Sequence, residues 1–122
     1  MSQDVVLPLL ARTATMGSGD IVRTLETGLH VIINITAIAG GVTLTPKVRG
    51  KDALGNAYDL LVGAGLTATG LTVLKIVPAI TDAANSAVSD MLPDVYDVVM
   101  TQTGAGAHTY SVCLNKLINR TA

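Results

Sequence analysis

Hydrophobic and polar positions alternate along most of this chain with a period of two, the spacing of a strand that has one side in a core. The clearest run is Leu29 to Ala37, where Leu29, Val31, Ile33, Ile35 and Ala37 form an apolar row and His30, Ile32, Asn34 and Thr36 a mixed one. Its β-branched side chains are stiff at χ1 and suit a pleated surface better than a helix. The run stops at Gly40-Gly41, a turn signal. A second run starts at Thr43, setting Thr43, Thr45, Lys47 and Arg49 against Leu44, Pro46 and Val48. The sequence KDALGN, Lys51 to Asn56, is the strongest turn of the chain and leads into residues 57–62, where Tyr58, Leu60 and Val62 share a side. Together these runs predict three antiparallel strands in a row.

Shorter runs predict strands at 21–25, at 71–77, at 95–101 with Tyr96, Val98 and Met100 on one face, and at 108–117. In the last of these, Tyr110, Val112 and Leu114 oppose Thr109, Ser111, Cys113 and Asn115. Gly63 to Gly70 reads as a loop, Gly104-Ala105-Gly106 as a hairpin turn and 118–122 as a short tail. Alternation fails between Ala79 and Met91, where Thr81-Asp82 can cap a helical turn; the segment predicts a crossover containing a short helix or an ordered loop. The opening residues, MSQDVVLPLLARTATM, are apolar but broken by Pro8, which cannot donate to a ladder in a central strand. Residues 1–16 are therefore expected as an N-terminal arm or edge strand, and 17–122 as the body of the domain. About eight short strands with frequent turns predict one all-β domain, an antiparallel β-sandwich or jelly roll.

Composition adds a surface argument. The 122 residues include no Trp, no Phe and only three Tyr, so the core must be built from aliphatic side chains in thin layers rather than around a deep pocket. Charged residues make up 14% of the chain, against about a quarter in ordinary domains. Much of the surface must then be Thr, Ala, Gly and aliphatic, which predicts that a partner, or copies of the chain itself, cover part of it. The net charge of −1, with Lys47, Arg49 and Lys51 as the only basic cluster, argues against nucleic acid. A single cysteine, Cys113, excludes an internal disulfide and is expected as a small buried hydrophobe.

Residues 1–4 carry no basic side chain and the apolar run 5–10 is short, so no secretion signal is expected. The longest uncharged run, Thr27 to Pro46, contains Asn34, Gly40-Gly41 and Pro46 and reads as strand and turn, not as a membrane span. Without a secretory signal, the Asn-x-Thr triplets at Asn34 and Asn119 are chance matches.

Catalytic chemistry finds little to work with. His30 sits within an alternating strand and His108 beside a glycine turn, where exposure is the default; neither lies near a nucleophile motif. Two histidines and one cysteine lack zinc spacing. Asp52, Asn56 and Asp59 offer oxygens to calcium, yet Asp and Asn are also what a hairpin turn uses. The acidic group Asp82, Asp90, Asp94 and Asp97 surrounds the crossover and reads as capping and solubility. No enzyme, cofactor or metal is expected.

The segments ARTAT (11–15), NITAIAG (34–40), LTATGLTVLKIVPAIT (66–81) and TYSV (109–112) resemble, in that order and over residues 11–114, a type of small β-sandwich protein from the virion genes of tailed bacteriophages. In that type an R-T-A-T strand precedes a strand ending in T-A-I or T-A-V. A polar hairpin follows, then a T-A-T-G-x-x-V-L strand leading to a proline, and a last strand around Y-S-V. The resemblance implies a non-enzymatic head or tail component, and best of all a capsid decoration (cement) protein that bridges neighbouring subunits of the major capsid protein. It also implies a homo-oligomer, a trimer being favoured, made in the host bacterial cytoplasm and carried on the capsid surface. Val5, Val6, Leu7, Leu9 and Leu10 are the expected contact residues, with an ordinary first strand as the alternative. The competing functions are a tail or fibre component and a carbohydrate-binding sandwich, the latter disfavoured by the scarcity of aromatic rings.

Overall fold

The computed structural model describes residues 2–39, 41, 43–104 and 106–117. Gly40 and Ala105 of the two expected turns lie outside the described residues, as does the tail 118–122 with its Asn119 triplet. In chain order the strands are β1 (Ser2–Arg12), β2 (Met16–Gly17), β3 (Ile21–Val22), β4 (Gly28–Ala39), β5 (Thr43–Lys51), β6 (Ala57–Val62), β7 (Gly70–Ile76), β8 (Ala87–Val88), β9 (Val95–Thr103) and β10 (Ala107–Leu117). One sheet has the order β1-β10-β4-β7-β8 and the other β2-β9-β5-β6, with β3 also on β9. All pairings are antiparallel except the short β7–β8 contact, and the two sheets pack as a β-sandwich.

The run 29–37 is the middle of the first sheet, with β10 on one side and β7 on the other. Leu29, Val31, Ile33 and Ile35 are buried and meet Leu44, Val48, Tyr96, Val98 and Met100 of the second sheet in one core cluster. The expected meander of three successive strands does not form. β5 pairs with β9 and β6 instead of with β4. Both β4 and β5 carry an apolar row, and such strands bury more surface face to face across a sandwich than edge to edge within one sheet. The same logic separates β9 from β10, which were expected as a hairpin across Gly104-Ala105-Gly106: they lie in different sheets.

One smaller expectation is corrected and another is narrowed. In β6 the register slips between Val48 and Arg49, which leaves Leu60 as an extra residue and turns Leu61 into the core while Val62 is exposed. Leu61 thus replaces the Tyr58, Leu60, Val62 face. No helix forms among the described residues; residues 79–91 are an ordered loop interrupted by the two-residue strand β8. Ala79 and Asn85 take positive φ, and Asp82 accepts from the Ser89 amide rather than capping a helical turn.

The β5–β6 hairpin forms as expected. Asp52 Oδ1 accepts from the amides of Leu54 and Asn56, and Oδ2 from Asn56 Nδ2; the Asn56 side chain first, then these amides, lowers the Asp52 pKa. Beyond the hairpin, the Gly63 amide donates to Pro46 O at 2.7 Å, and a Cβ on Gly63 would lie 2.7 Å from Pro46 Cγ and 3.1 Å from that carbonyl. A proline ring cannot swing aside. Gly63→Ala is therefore expected to cost about 1–3 kcal/mol by overpacking, read as a lower urea midpoint with an unchanged slope.

Candidate functional site: the first strand and its face of the sheet

β1 closes the first sheet as an edge strand and runs almost the length of β10, from Ser2 opposite Lys116 to Arg12 opposite His108. Its register breaks twice, between Val5 and Leu7 and between Leu7 and Leu10. The five expected contact residues consequently divide. Leu7 is buried in the core and Val6 packs against it, so neither is free for a partner. Val5, Leu9 and Leu10 stay outside, with 65%, 55% and 59% of their surface exposed. The first bulge, with Val6 as the extra residue, puts Val5 opposite Cys113 and Leu7 opposite Val112, on opposite faces of the sheet.

Val5 leads onto the outer face of the sheet. It pairs with Cys113, Cys113 with Ile32, and Ile32 with Val73, an apolar rung across four strands. Asp4, Val5, Ile32, Cys113 and Asn115 line a shallow groove of about 350 Å³ there. Cys113 is half-buried on this outer face and not the core hydrophobe the sequence suggested. Asn115, His30 and Lys75 form the next rung. Burial, and then the charge of Lys75, lower the His30 pKa.

The ends of β1 are fixed by charged side chains that sequence reasoning did not single out. Arg12 is 6% exposed. Its Nη1 donates to Tyr110 O at 2.7 Å and Leu10 O at 3.2 Å, its Nη2 donates to Pro8 O, and the guanidinium lies 4.7 Å from the centroid of the Tyr110 ring. At the far end Lys116 Nζ meets Asp4 at 2.8 Å and lies 3.8 Å from Glu26 Oε2. Glu26 is 1% exposed and accepts from the Thr24 amide and hydroxyl and from the Tyr96 hydroxyl. Burial alone would raise the Glu26 carboxyl, but hydrogen bonds from its own backbone, from Thr24 and from Tyr96 outweigh it and hold the pKa at about 2. Burial and the bond to Glu26 in turn push the Tyr96 hydroxyl up.

The remaining candidates fall into place around this frame. His108, expected at the surface, is fully buried, because alternation in β10 turns it inward with Tyr110, Val112 and Leu114. Its ring nitrogens and the Tyr110 hydroxyl have no hydrogen-bond partner among the described residues. The Lys47, Arg49, Lys51 cluster carries its own counter-charges. Arg49 forms a two-pronged pair with the buried Asp97, Lys47 lies 3.5 Å from Asp59, and Lys51 pairs with Asp20. Among the described residues no group of three or more His, Cys, Asp or Glu side chains is placed to hold a metal ion. No helix is long and apolar enough to cross a membrane.

Known protein families, curated proteins and solved structures contain no match to this chain. The site must be interpreted from its own geometry. That geometry is an edge strand tied down at both ends, with three aliphatic side chains left in solvent and an apolar rung beside them. It offers non-covalent contact.

Proposed function

We propose that this chain is a non-enzymatic structural protein of a tailed-bacteriophage virion. It decorates the capsid and stabilises it by binding across neighbouring subunits of the major capsid protein. The observation that carries this reading is the exposure of Val5, Leu9 and Leu10 on a strand that is itself part of the sandwich. Exposed aliphatics on a fixed edge, rather than a pocket, suit a large repetitive partner, where many modest contacts add through effective concentration. The motif order from Ala11 to Leu114 supports the same reading, as does a surface low in charge. A homo-oligomer, a trimer being favoured, would place several copies of the edge on one lattice point. Synthesis in the host cytoplasm, followed by addition to the outer capsid surface, completes the proposal.

Co-sedimentation with mature, undecorated capsids tests it. The full chain should bind saturably, and a Leu9→Ser/Leu10→Ser double variant should lose about tenfold or more in affinity. Its unfolding midpoint should stay near that of the wild type, because both side chains are in solvent. A soluble, folded full chain that does not bind shells would overturn the capsid reading in favour of a tail or fibre component.

A further inference from the structure

The Pro8–Leu10 bulge depends on a side chain of unusual cost. Where the register of β1 breaks between Leu7 and Leu10, Pro8 and Leu9 have no partner residue on β10, and the run of regular ladder donors is interrupted. Arg12 supplies donors in their place: Nη2 to Pro8 O and Nη1 to Leu10 O, while the same Nη1 reaches across to Tyr110 O of β10. Leu9 is thus bracketed on both sides by one guanidinium. Burying a cation is unfavourable without compensation, and Arg12 has no ion pair among the described residues. Its compensation consists of three carbonyls and the face of Tyr110. An aliphatic residue would fill the same position without that cost but could not hold the bulge. The fork geometry matters too, since an ammonium has no planar set of donors to span two carbonyls.

We propose that Arg12 is a positioning residue for a partner contact: it fixes Leu9 and Leu10 as a rigid apolar pair that inserts into an apolar recess on a protein surface. This rests on the reading of β1 as the contact strand and names how the contact is made. The partner reads side chains and does not add a strand. Pro8 lacks an amide donor, and two register breaks interrupt the row of edge groups that strand addition requires. A pair held in its bound arrangement before contact avoids the ordering cost of a mobile loop.

Backbone order parameters of Leu9 and Leu10 by NMR give the first test, on the free wild-type chain. They should match rigid backbone, near about 0.85, and a value below about 0.6 overturns the proposal without any variant. In Arg12→Lys the same two amides should drop below about 0.6 while Val31 and Val112 stay rigid. Capsid affinity of Arg12→Lys should fall about tenfold or more, as for Leu9→Ala/Leu10→Ala, whereas Leu54→Ala in the β5–β6 turn should bind as wild type. Unchanged order parameters in Arg12→Lys, or loosened ones with full affinity, overturn the positioning role. A wild-type chain that ignores capsids overturns the proposed function and the contact with it, and the order parameters then decide separately whether Arg12 fixes the bulge.

Discussion

Replacing Glu26 with alanine should lower stability by about 3 kcal/mol. The carboxylate is 1% exposed, and three donors on other residues depend on it: the Thr24 amide, the Thr24 hydroxyl and the Tyr96 hydroxyl. Alanine leaves the buried Tyr96 hydroxyl with no acceptor and takes one of two carboxylates from Lys116. The same residue sets an acid limit. Its folded pKa of about 2 lies below the ordinary 4.5, so its contribution is complete above 4.5 and is lost as pH falls from there towards 2. A shift of that size corresponds to about 3 kcal/mol. Urea midpoints measured from pH 6 down to pH 2 should therefore fall steeply for the wild type and much less for Glu26→Gln. Glutamine removes the titration but keeps an acceptor for Thr24, and Tyr96 can reverse its hydroxyl to accept from the amide, so Glu26→Gln should sit between wild type and alanine at neutral pH. An equal acid slope in wild type and Glu26→Gln would show that other carboxylates carry the dependence.

The sandwich was legible because its strands obey the period-two rule. Leu29 to Ile35, Tyr96 to Met100 and Tyr110 to Leu114 all bury the side their alternation names. Which strands pair was not legible. Gly40-Gly41 marks an end of β4, but a glycine pair says only that the chain turns, not whether it returns along the same sheet or crosses to the other. The crossing follows from matching two apolar faces, a property of strands far apart in sequence. Bulges escaped for a related reason. The slip at Leu60 and the breaks around Pro8 shift side chains by one residue, and alternation read without a partner strand cannot register the shift.

Charged residues divide in the same way. Lys47, Arg49 and Lys51 were visible as a cluster because they alternate on one strand. Their pairing with Asp20, Asp59 and Asp97 draws on three other segments. Arg12 and Glu26 gave no local signal, since an arginine in a Thr-rich stretch and a glutamate before Thr27-Gly28 look like surface residues. Each is nevertheless buried, and each ties the ends of β1 or β10 to the body. The one available hint was position: Arg12 lies four residues past Pro8, where a strand with a missing donor needs help from a side chain. His108 shows the opposite error. Its neighbouring glycine turn suggested solvent, but it shares a face with Tyr110, and the strand's alternation outranks the turn.

Deleting residues 2–10 is expected to abolish cooperative folding rather than trim an arm. Leu7 would leave the core, a loss of about 2–3 kcal/mol. Arg12 would lose the Pro8 and Leu10 carbonyls while remaining against Tyr110, at about 1–3 kcal/mol for each unsatisfied donor. Lys116 would lose Asp4, and most of β10's ladder to β1 would be stripped, baring the edge of an eleven-residue strand. Such an edge invites association with other chains. The total rivals the whole stability of a small domain, about 5–15 kcal/mol. Thermal melts followed by circular dichroism, with size-exclusion chromatography, should show a chain that is unfolded or associated. A deleted chain that stays monomeric and melts near the wild-type temperature would make β1 a dispensable arm and put the core assignment of Leu7 in error. The expected outcome also governs how contact is tested. Because the strand that presents Leu9 and Leu10 is the strand that completes the sheet, loss of binding after truncation would report unfolding, and side-chain substitutions in the full chain are what separate the contact from the fold.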